Sequence, residues 1–201
     1  PLKLNAAERL FVNQPLRPWL QRWLEARPLL KMGGATLGAR VLEIGCGQGE
    51  GTRILLRDFG AREVHAFDLD SRQLRRARRR IHHLPERKNI FLWQGAAGQI
   101  PVPANHYQAA FDFNVLHHIP NWQEALREIA RSLEPGAKFY VLETLRPFLE
   151  NPINRILMKH PRENRFDFDG LCDGLKDAGF HLQQSRRIAR SVCWIVAKLE
   201  K

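Results

Sequence analysis

The stretch Val41-Leu42-Glu43-Ile44-Gly45-Cys46-Gly47-Gln48-Gly49 joins an apolar strand containing one acid to three alternating glycines. A residue without a Cβ lets the backbone turn tightly and approach a bound ligand closely. Because a helical pattern begins at Glu50, the stretch is typical of a strand–loop–helix unit that holds a nucleotide-type cofactor at the carboxyl end of a parallel sheet. It therefore predicts both a fold class and the place of a ligand site.

Strand and helix patterns alternate beyond this loop. We predict strands over residues 41–44, 63–67, 89–93, 107–113 and 138–143, and helices over residues 50–58, 71–82, 122–133 and 169–178. Such alternation indicates an α/β fold with a parallel sheet. Two more strands, near residues 181–188 and 191–199, are separated by a short turn and predict an antiparallel hairpin at the sheet edge.

The composition is that of a soluble globular domain. Of the 201 residues, 44% are hydrophobic and 26% are charged, and this length suffices for one compact core. No apolar run reaches the roughly 18 residues of a membrane span, and the first ten residues lack a signal-peptide pattern, so a cytoplasmic protein is expected. The three cysteines have no CxxC spacing, which argues against a disulfide framework, and no metal site is expected.

Positive charge is concentrated on one predicted helix. The net charge is +11, and much of the excess comes from Arg72, Arg75, Arg76, Arg78, Arg79 and Arg80. This balance permits an anionic partner, which could be nucleic acid, an acidic membrane surface or an acidic substrate. No aromatic side chains interleave with these arginines as a base-stacking surface requires, so a solvated helix face is the alternative.

The N-terminal segment carries an apolar stripe at helical spacing. The stripe consists of Leu16, Trp19, Leu20, Trp23 and Leu24. We predict a helical cap segment over residues 1–34 and the ligand-binding domain over residues 35–201. Three interpretations of the stripe remain open: packing against the domain, a lid over the ligand site, or a helix on a membrane surface.

The glycine spacing excludes two common phosphate-binding loops. A dinucleotide fingerprint, G-x-G-x-x-G, needs a third glycine where this sequence has Glu50 or Thr52. A glutamate there would also repel a pyrophosphate at the helix N-terminus. A P-loop needs a Lys-Ser/Thr pair after its glycines, and none follows here. The ligand is therefore expected to lack phosphate.

Four motifs follow one another along most of the chain. They are residues 43–49, His65-Ala66-Phe67-Asp68-Leu69-Asp70, Phe113-Asn114-Val115-Leu116-His117-His118-Ile119 and Leu133-Glu134-Pro135-Gly136-Ala137. In this order they resemble the glycine loop, second strand, fourth strand and pre-fifth-strand turn of class I S-adenosylmethionine (SAM)-dependent methyltransferases. The sequence is most similar to the ubiquinone/menaquinone-biosynthesis-like group of that family (methyltransferase types 11 and 25).

The resemblance implies a Rossmann-like class I methyltransferase fold, with a mostly parallel seven-stranded sheet and helices on both faces. It implies SAM as cofactor and S-adenosyl-L-homocysteine as product. Asp68 would accept hydrogen bonds from the ribose hydroxyls, and Leu69 would pack on the adenine. Glu43 would attract the ammonium and sulfonium charges, or order the loop by accepting from backbone amides. The expected cofactor-binding residues are Glu43, Gly45, Cys46, Gly47, Asp68, Leu69, Ala96, Ala97 and Asn114.

One position departs from the family pattern. Gln94-Gly95-Ala96-Ala97 stands where the family often has a glycine-aspartate pair whose carboxylate bonds the adenine amino group. Losing that hydrogen bond costs on the order of 1 kcal/mol, and Gln99 is a candidate substitute. The backbone amide of Ala97 would still meet the adenine ring. A SAM-binding regulator without turnover is therefore an alternative to an enzyme.

The catalytic candidates follow the fourth and fifth predicted strands. The main task is to align an acceptor with the methyl donor and exclude water, and a general base helps with some acceptors. His117 and His118 follow the fourth strand, Glu143 ends the fifth, and His160 is a weaker candidate. Their alternative roles are structural: imidazoles that bond the backbone, and a carboxylate that orients substrate or caps the strand.

Residues 145–165 are too many for a simple turn and would cover the open end of the sheet. Their mixed apolar and basic residues predict a short amphipathic helix, which with the N-terminal helix would form an apolar pocket. We therefore expect methyl transfer to a small, partly apolar acceptor. RNA is the alternative that the charge permits, although the fourth strand lacks the Asn/Asp-Pro-Pro-aromatic motif of amino-directed nucleobase methyltransferases. No sequence feature indicates an oligomeric state.

Overall fold

A computed structural model describes residues 17–150 and 164–200. His160 and most of the amphipathic helix predicted within residues 145–165 lie outside the described residues. Within the two described ranges, no helix combines the length and the apolarity needed to cross a bilayer.

The protein is built on one seven-stranded sheet. The strands are β1 Arg40–Ile44, β2 Glu63–Asp68, β3 Ile90–Gln94, β4 Tyr107–Phe113, β5 Leu133–Thr144, β6 Phe180–Ile188 and β7 Val192–Leu199. Their order is β3-β2-β1-β4-β5-β7-β6. β1 to β5 pair in parallel, whereas β7 is antiparallel to both β5 and β6. The predicted fold class, including the C-terminal hairpin, is confirmed.

Helices cover both faces of this sheet. They are α1 (Arg17–Leu20, a π-helical stretch Gln21–Ala26 and Arg27–Gly33), α2 Glu50–Arg57, α3 Ser71–Ile81, α4 Trp122–Ser132, α5 Arg146–Leu149 and α6 Phe168–Asp177, with 3₁₀ turns at Pro85–Asn89 and Leu116–His118. α4 and α6 bury their apolar sides in the core on one face, and α1, α2 and α3 in the core on the other. Asp70 and Asp167 cap α3 and α6 by accepting from backbone amides 2.8 and 2.9 Å away.

The start of β5 differs from the prediction. α4 ends at Ser132, and Leu133 already pairs with Tyr107 of β4. The register then shifts, and Lys138 pairs with Ala109. The Pro135-Gly136 turn, expected to close the helix, is therefore an irregularity inside the β5 span, where Gly136 has a φ of 79°.

The predicted apolar stripe of α1 is only partly correct. Trp19, Trp23 and Leu24 are 57, 42 and 55% exposed, whereas Ala26 and Leu29 are buried. The packing interpretation is therefore wrong for Trp19, Trp23 and Leu24, whereas the later turns do pack on the domain. Of the other stripe residues, Leu20 is half-buried and Leu16 lies outside the described residues. A π-helical stretch accommodates more residues per turn than an α-helix, so the stretch at Gln21–Ala26 moves the buried face away from the stripe read at α-helical spacing.

Side-chain hydrogen bonds fix α1 on the domain. Arg22 donates two hydrogen bonds, of 2.8 and 2.9 Å, to the carboxylate of Asp58 at the end of α2. Trp194 of β7 donates to the Glu25 carbonyl at 3.2 Å, and Tyr140 donates to the Gly33 carbonyl at 3.0 Å. These contacts hold the middle of α1 at the end of α2 that is remote from the glycine loop. The division at residue 34 stays a prediction.

The basic helix α3 presents its arginines to solvent. Leu74, Ala77 and Ile81 face the core, while Arg72, Arg75, Arg76, Arg78 and Arg79 are exposed. Arg80 is half-buried and donates to Glu50 at 2.8 Å. This exposure is compatible with both interpretations of the row, a solvated helix face and a surface for an anionic partner, which stay predictions.

The contact between α4 and α6 depends on Gly174. A Cβ at this position would overlap the ring of Trp122, whose indole N–H is held by the Asn164 carbonyl at 2.8 Å. Gly174→Ala should lower the free energy of unfolding by about 1–2 kcal/mol, because overpacking costs about 1–3 kcal/mol and the gain from replacing a helical glycine is about 0.5–1 kcal/mol. Urea denaturation measures the change.

Gly98→Ala is the control for this prediction. A Cβ at Gly98 would lie 3.7 Å from the nearest side-chain atom, which belongs to Glu124. Its unfolding free energy should stay close to that of the wild type. A Gly174→Ala variant as stable as the wild type would contradict the described packing.

Candidate cofactor and active site

The glycine loop after β1 lies at the carboxyl edge of the sheet. Gly45 and Gly47 have φ values of 62° and 52°, a region that costs other residues roughly 1–2 kcal/mol. A Cβ at Gly45 would lie 2.5 Å from Val115, whereas one at Gly47 would meet no atom within 4 Å. Gly45 is therefore needed for packing against the loop after β4, and Gly47 borders open space in which a ligand could lie against the backbone.

Asp68, the last residue of β2, links this loop to its neighbours. Its Oδ2 accepts from the Gly47 amide at 2.9 Å and its Oδ1 accepts from the Asp70 amide at 2.8 Å. Burial raises the pKa of Asp68, and these backbone hydrogen bonds oppose that shift. Each carboxylate oxygen has a second lone pair, so Asp68 can accept further hydrogen bonds from ligand hydroxyls.

Glu43 is buried beneath the same loop. Its Oε2 accepts from the hydroxyl of Thr52 on α2, and a Cβ at Gly51 would overlap its Oε1. Burial raises the pKa of Glu43 to about 8, the Thr52 hydrogen bond opposes this shift, and the charges of Asp68 and Glu50 add to it. Glu43 therefore accepts from a side chain of α2 that sequence reasoning did not identify, and its expected hydrogen bonds from backbone amides of the loop stay a prediction.

The loop after β3 forms a tight turn. The Gln99 amide donates to the Ala96 carbonyl at 3.1 Å, and the Gly95 amide donates to the Asp68 carbonyl at 3.3 Å. Ala96 is exposed and Ala97 is buried. Leu69 is 39% exposed, and its carbonyl accepts from the side chain of Gln94 at 3.1 Å. An apolar side chain and small residues therefore line this part of the edge.

Cys46 and Asn114 have structural contacts. Cys46 is buried and its amide donates to the Phe67 carbonyl at 2.9 Å; burial raises the pKa of its thiol, which disfavours a nucleophilic thiolate. Asn114 has a φ of 68°, and its side-chain oxygen accepts from the hydroxyl of Thr144 at 2.6 Å. Asn114 thereby ties the end of β4 to the end of β5.

Two of the three catalytic candidates are in direct contact. Nδ1 of His117 lies 2.6 Å from Oε2 of Glu143, and both side chains are buried. Burial, together with the positive charge of Arg165, lowers the pKa of His117 to about 3. The neutral imidazole therefore carries its proton on Nδ1, from which it donates to Glu143. The ring of His118 lies 4.1 Å from that of His117.

Asp112 joins this pair although sequence reasoning did not single it out. It is fully buried on β4, and its Oδ1 accepts from the Val115 amide at 3.0 Å. Its side chain is also hydrogen bonded to Glu143. An acid inside the apolar run of β4 was the available sequence signal, because buried acids are rare unless they have partners.

Comparison with known proteins agrees with this geometry. Residues 41–136 match a family model described as a methyltransferase domain. A 2-phytyl-1,4-naphtoquinone methyltransferase from Synechococcus elongatus is 32% identical over 138 residues, which are 68% of this chain and 59% of that protein. Residues 41–136 therefore form a methyltransferase domain of the class I SAM-dependent type. The family and the fold imply SAM as the cofactor.

Two further similarities cover most of this chain. The ubiquinone/menaquinone biosynthesis C-methyltransferase UbiE of Pseudomonas savastanoi is 29% identical over 155 residues, covering 77% of this chain and 58% of that protein. A SAM-dependent methyltransferase structure from Aquifex aeolicus has a TM-score of 0.77 at 18% identity, covering 98% of this chain and 100% of the other. The chain spans 36% to 59% of the length of the first curated relatives it matches.

The loops of the methyltransferase meet the chemical requirements of SAM at three points. Gly47 leaves open space beside a backbone of positive φ. Asp68 is an acceptor at the end of β2 with unused lone pairs, and Leu69 offers an exposed apolar surface. The loop after β3 offers one fewer acceptor than the family pattern, because Ala96 carries only a methyl group.

The raised pKa of Glu43 predicts a pH-dependent stability. A carboxyl that titrates near 4.5 unfolded and about 8 folded stabilises the protein fully below pH 4.5, and this contribution is lost as the pH rises through 8. Glu43→Gln removes this titration and still accepts from Thr52. The unfolding free energy of the variant should therefore fall less steeply than that of the wild type between pH 5 and 8, as measured by urea denaturation.

Glu134→Gln is a suitable control, because Glu134 lies at the opposite end of the strands, on the β5 turn. It should keep the wild-type pH slope. A Glu43→Gln variant with an unchanged slope would show that Glu43 is ionised at neutral pH in the folded protein.

Proposed function

We propose that this methyltransferase transfers the methyl group of SAM to a small, partly apolar acceptor of quinone-like type. The observation that carries the proposal is the joint position, at one sheet edge, of the glycine loop bonded to Asp68 and the buried His117–Glu143 pair. The names of the naphtoquinone and menaquinone methyltransferase relatives support the acceptor class.

The cofactor-binding roles follow from the contacts at this edge. Asp68 receives the ribose hydroxyls, with its orientation fixed by the Gly47 and Asp70 amides. Gly45 and Gly47 allow the loop backbone to approach the methionine part, and Leu69 packs on the adenine beside the Ala97 amide. Without an acid at Ala96 the adenine amino group loses about 1 kcal/mol of binding, and Gln99 is a candidate substitute for this contact.

Glu43 contributes through charge. A cation close to a buried carboxyl favours its ionised form. The ammonium and sulfonium charges of SAM would therefore favour release of the proton that Glu43 holds below pH 8. Cys46 and Asn114 act as backbone supports, since the first is an uncharged buried thiol and the second ties β4 to β5.

The bound cofactor supplies a methyl group already activated on a sulfonium. The chain aligns the acceptor, excludes water and removes a proton where the acceptor has one. Because Glu143 fixes the Nδ1 proton of His117, Nε2 is the basic nitrogen of that ring and the group proposed to take the proton. Glu143 acts as the positioning residue for His117, and the ring of His118 packs against the ring of His117.

RNA is a second candidate acceptor, favoured by one observation. The exposed arginines of α3 form a row on the surface, and such a surface attracts phosphates irrespective of sequence. Arg80 is half-buried and donates to Glu50, so the exposed row consists of Arg72, Arg75, Arg76, Arg78 and Arg79.

Transfer of a radiolabelled methyl group from SAM to a cell extract tests the proposal. Label in the lipid-soluble fraction is expected. Label that nuclease treatment releases would instead support RNA as the acceptor. SAM binding by calorimetry with no transfer to any fraction would overturn the enzyme assignment in favour of a regulator.

Asp68→Ala should weaken SAM binding by at least about tenfold, because it removes charge-assisted hydrogen bonds worth about 1.5–3 kcal/mol each. Asp68→Asn keeps one acceptor oxygen and should lose less. Calorimetric titration with SAM measures both variants. Asp70→Ala, which removes the neighbouring acid and the α3 cap, should bind SAM nearly as well as the wild type. Unchanged affinity of Asp68→Ala would contradict the placement of the ribose.

A further inference from the structure

Asp112 and Glu143 lie side by side on neighbouring parallel strands. Asp112 of β4 pairs in register with Val141 of β5, and Glu143 is two residues further along β5. Because side chains two apart share one face of a strand, both acids project on the same side of the sheet. Both are fully buried.

Each acid has one buried oxygen without a hydrogen-bond donor in the described part of the chain. Among residues 17–150 and 164–200, no N–H or O–H donor reaches Asp112 Oδ2 or Glu143 Oε1, and the two carboxyl groups are hydrogen bonded to each other. Two ionised carboxylates have no proton to place between them. The contact therefore requires one shared proton.

We propose that Asp112 is a positioning residue for His117, sharing one proton with Glu143 so that the pair carries a single negative charge and Glu143 Oε2 always accepts from His117. The catalytic consequence of this inference rests on the proposed function. The existence of the shared proton does not depend on it. It assigns a role to a residue that the motif comparison leaves without one.

The single charge follows from electrostatics. Two adjacent carboxylates in a buried site repel each other and lose hydration, so one of them keeps its proton. Burial and mutual repulsion raise the pKa of Asp112, and burial raises that of Glu143. The other oxygens are engaged by backbone amides: Val115 donates to Asp112 Oδ1, and Thr144 donates to Glu143 Oε2 at 3.1 Å.

Within the described ranges, the other titratable groups near the pair do not supply a second proton acceptor. Cys193 of β7 pairs in register with Glu143, and burial raises the pKa of its thiol, as it does for Cys172 of α6. Arg165, which precedes α6, contributes positive charge near His117. His118 packs on the ring of His117. The thiols are therefore neutral, and the pair remains the acidic part of this cluster.

The shared proton matters because it fixes the histidine tautomer. Whether the proton resides on Asp112 Oδ2 or on Glu143 Oε1, Oε2 of Glu143 remains unprotonated. His117 must then donate from Nδ1, and Nε2 remains the basic nitrogen. Without Asp112, burial would favour protonation of Glu143, and the proton could lie on either oxygen. Protonation at Oε2 would reverse the hydrogen bond to His117.

Two variants separate these possibilities. Asp112→Asn donates its amide N–H to Glu143 and leaves one negative charge, so it mimics the shared-proton state at every pH. Asp112→Leu keeps the branched shape and the number of side-chain heavy atoms, is larger, and has no donor. Nitrogen NMR of ¹⁵N-histidine-labelled protein reports the tautomer of His117, and steady-state kinetics with the identified acceptor reports kcat and KM.

Asp112→Asn should keep the wild-type tautomer and a kcat near that of the wild type at neutral pH. The wild type should show an alkaline change in the His117 signals and in kcat as the shared proton is released, and Asp112→Asn should lack it. Asp112→Leu should give mixed tautomers and a kcat lower by about tenfold or more, which is part of the roughly 10²–10⁴-fold that a positioned general base contributes, with KM nearly unchanged.

Infrared difference spectroscopy counts the protonated carboxyls directly. Wild type minus Asp112→Asn should show the carboxylic acid C=O band of one buried protonated carboxyl. The matched control is Asp173→Asn on α6, an exposed acid 3.5 Å from Lys176, whose difference spectrum should lack that band and whose pH profile should be that of the wild type.

The outcomes distinguish this inference from the proposed function. An Asp112→Leu protein that folds, as circular dichroism shows, and keeps the wild-type tautomer would overturn the positioning role. So would an alkaline transition that persists in Asp112→Asn. If SAM binds and no acceptor is methylated, the proposed function fails, and the NMR and infrared measurements still decide the shared proton, because neither needs turnover.

Discussion

Asp68 is the residue on which the geometry of the site depends, because three loops donate hydrogen bonds to it. Its carboxylate accepts from the amides of Gly47 and Asp70, and its carbonyl accepts from the amide of Gly95. These loops follow β1, β2 and β3, so one residue sets the relative positions of three strand ends. A ligand that bonds the same carboxylate meets an acceptor whose orientation is already fixed, which lowers the entropy lost on binding.

The sheet separates two buried acidic centres at this edge. Glu43 faces α2, where Gly51 and Thr52 contact it. Asp112 and Glu143 project into the core on the opposite face, beside Cys193. Both centres hold a proton near neutral pH because burial penalises the charged form. One centre lies under the loop that would hold the methyl donor, and the other supports the histidine proposed to act on the acceptor.

The succession of strands, helices and glycine loops along the chain could be predicted from the sequence, because glycine loops and apolar alternation are local signals. It was insufficient where a contact joins distant residues. Glu43 and Thr52 are nine positions apart and meet only because Gly51 lets α2 approach β1. The Asp112–Glu143 contact requires the register of β4 and β5. The exposed Trp19 and Trp23 follow from a π-helical stretch that α-helical spacing does not anticipate.

The contacts also suggest where the affinity for the donor resides under the proposed function. Charge-assisted hydrogen bonds contribute about 1.5–3 kcal/mol each, against about 1 kcal/mol for a neutral bond such as the one missing at Ala96. Binding would then depend chiefly on Asp68 and the methionine end, near Glu43. SAM and its product differ by the sulfonium charge, so under the proposed function transfer of the methyl group would remove one of the cations that favour the ionised form of Glu43. Because burial favours the neutral acid, Glu43 would regain a proton as the product forms, which weakens its hold on the product relative to the donor.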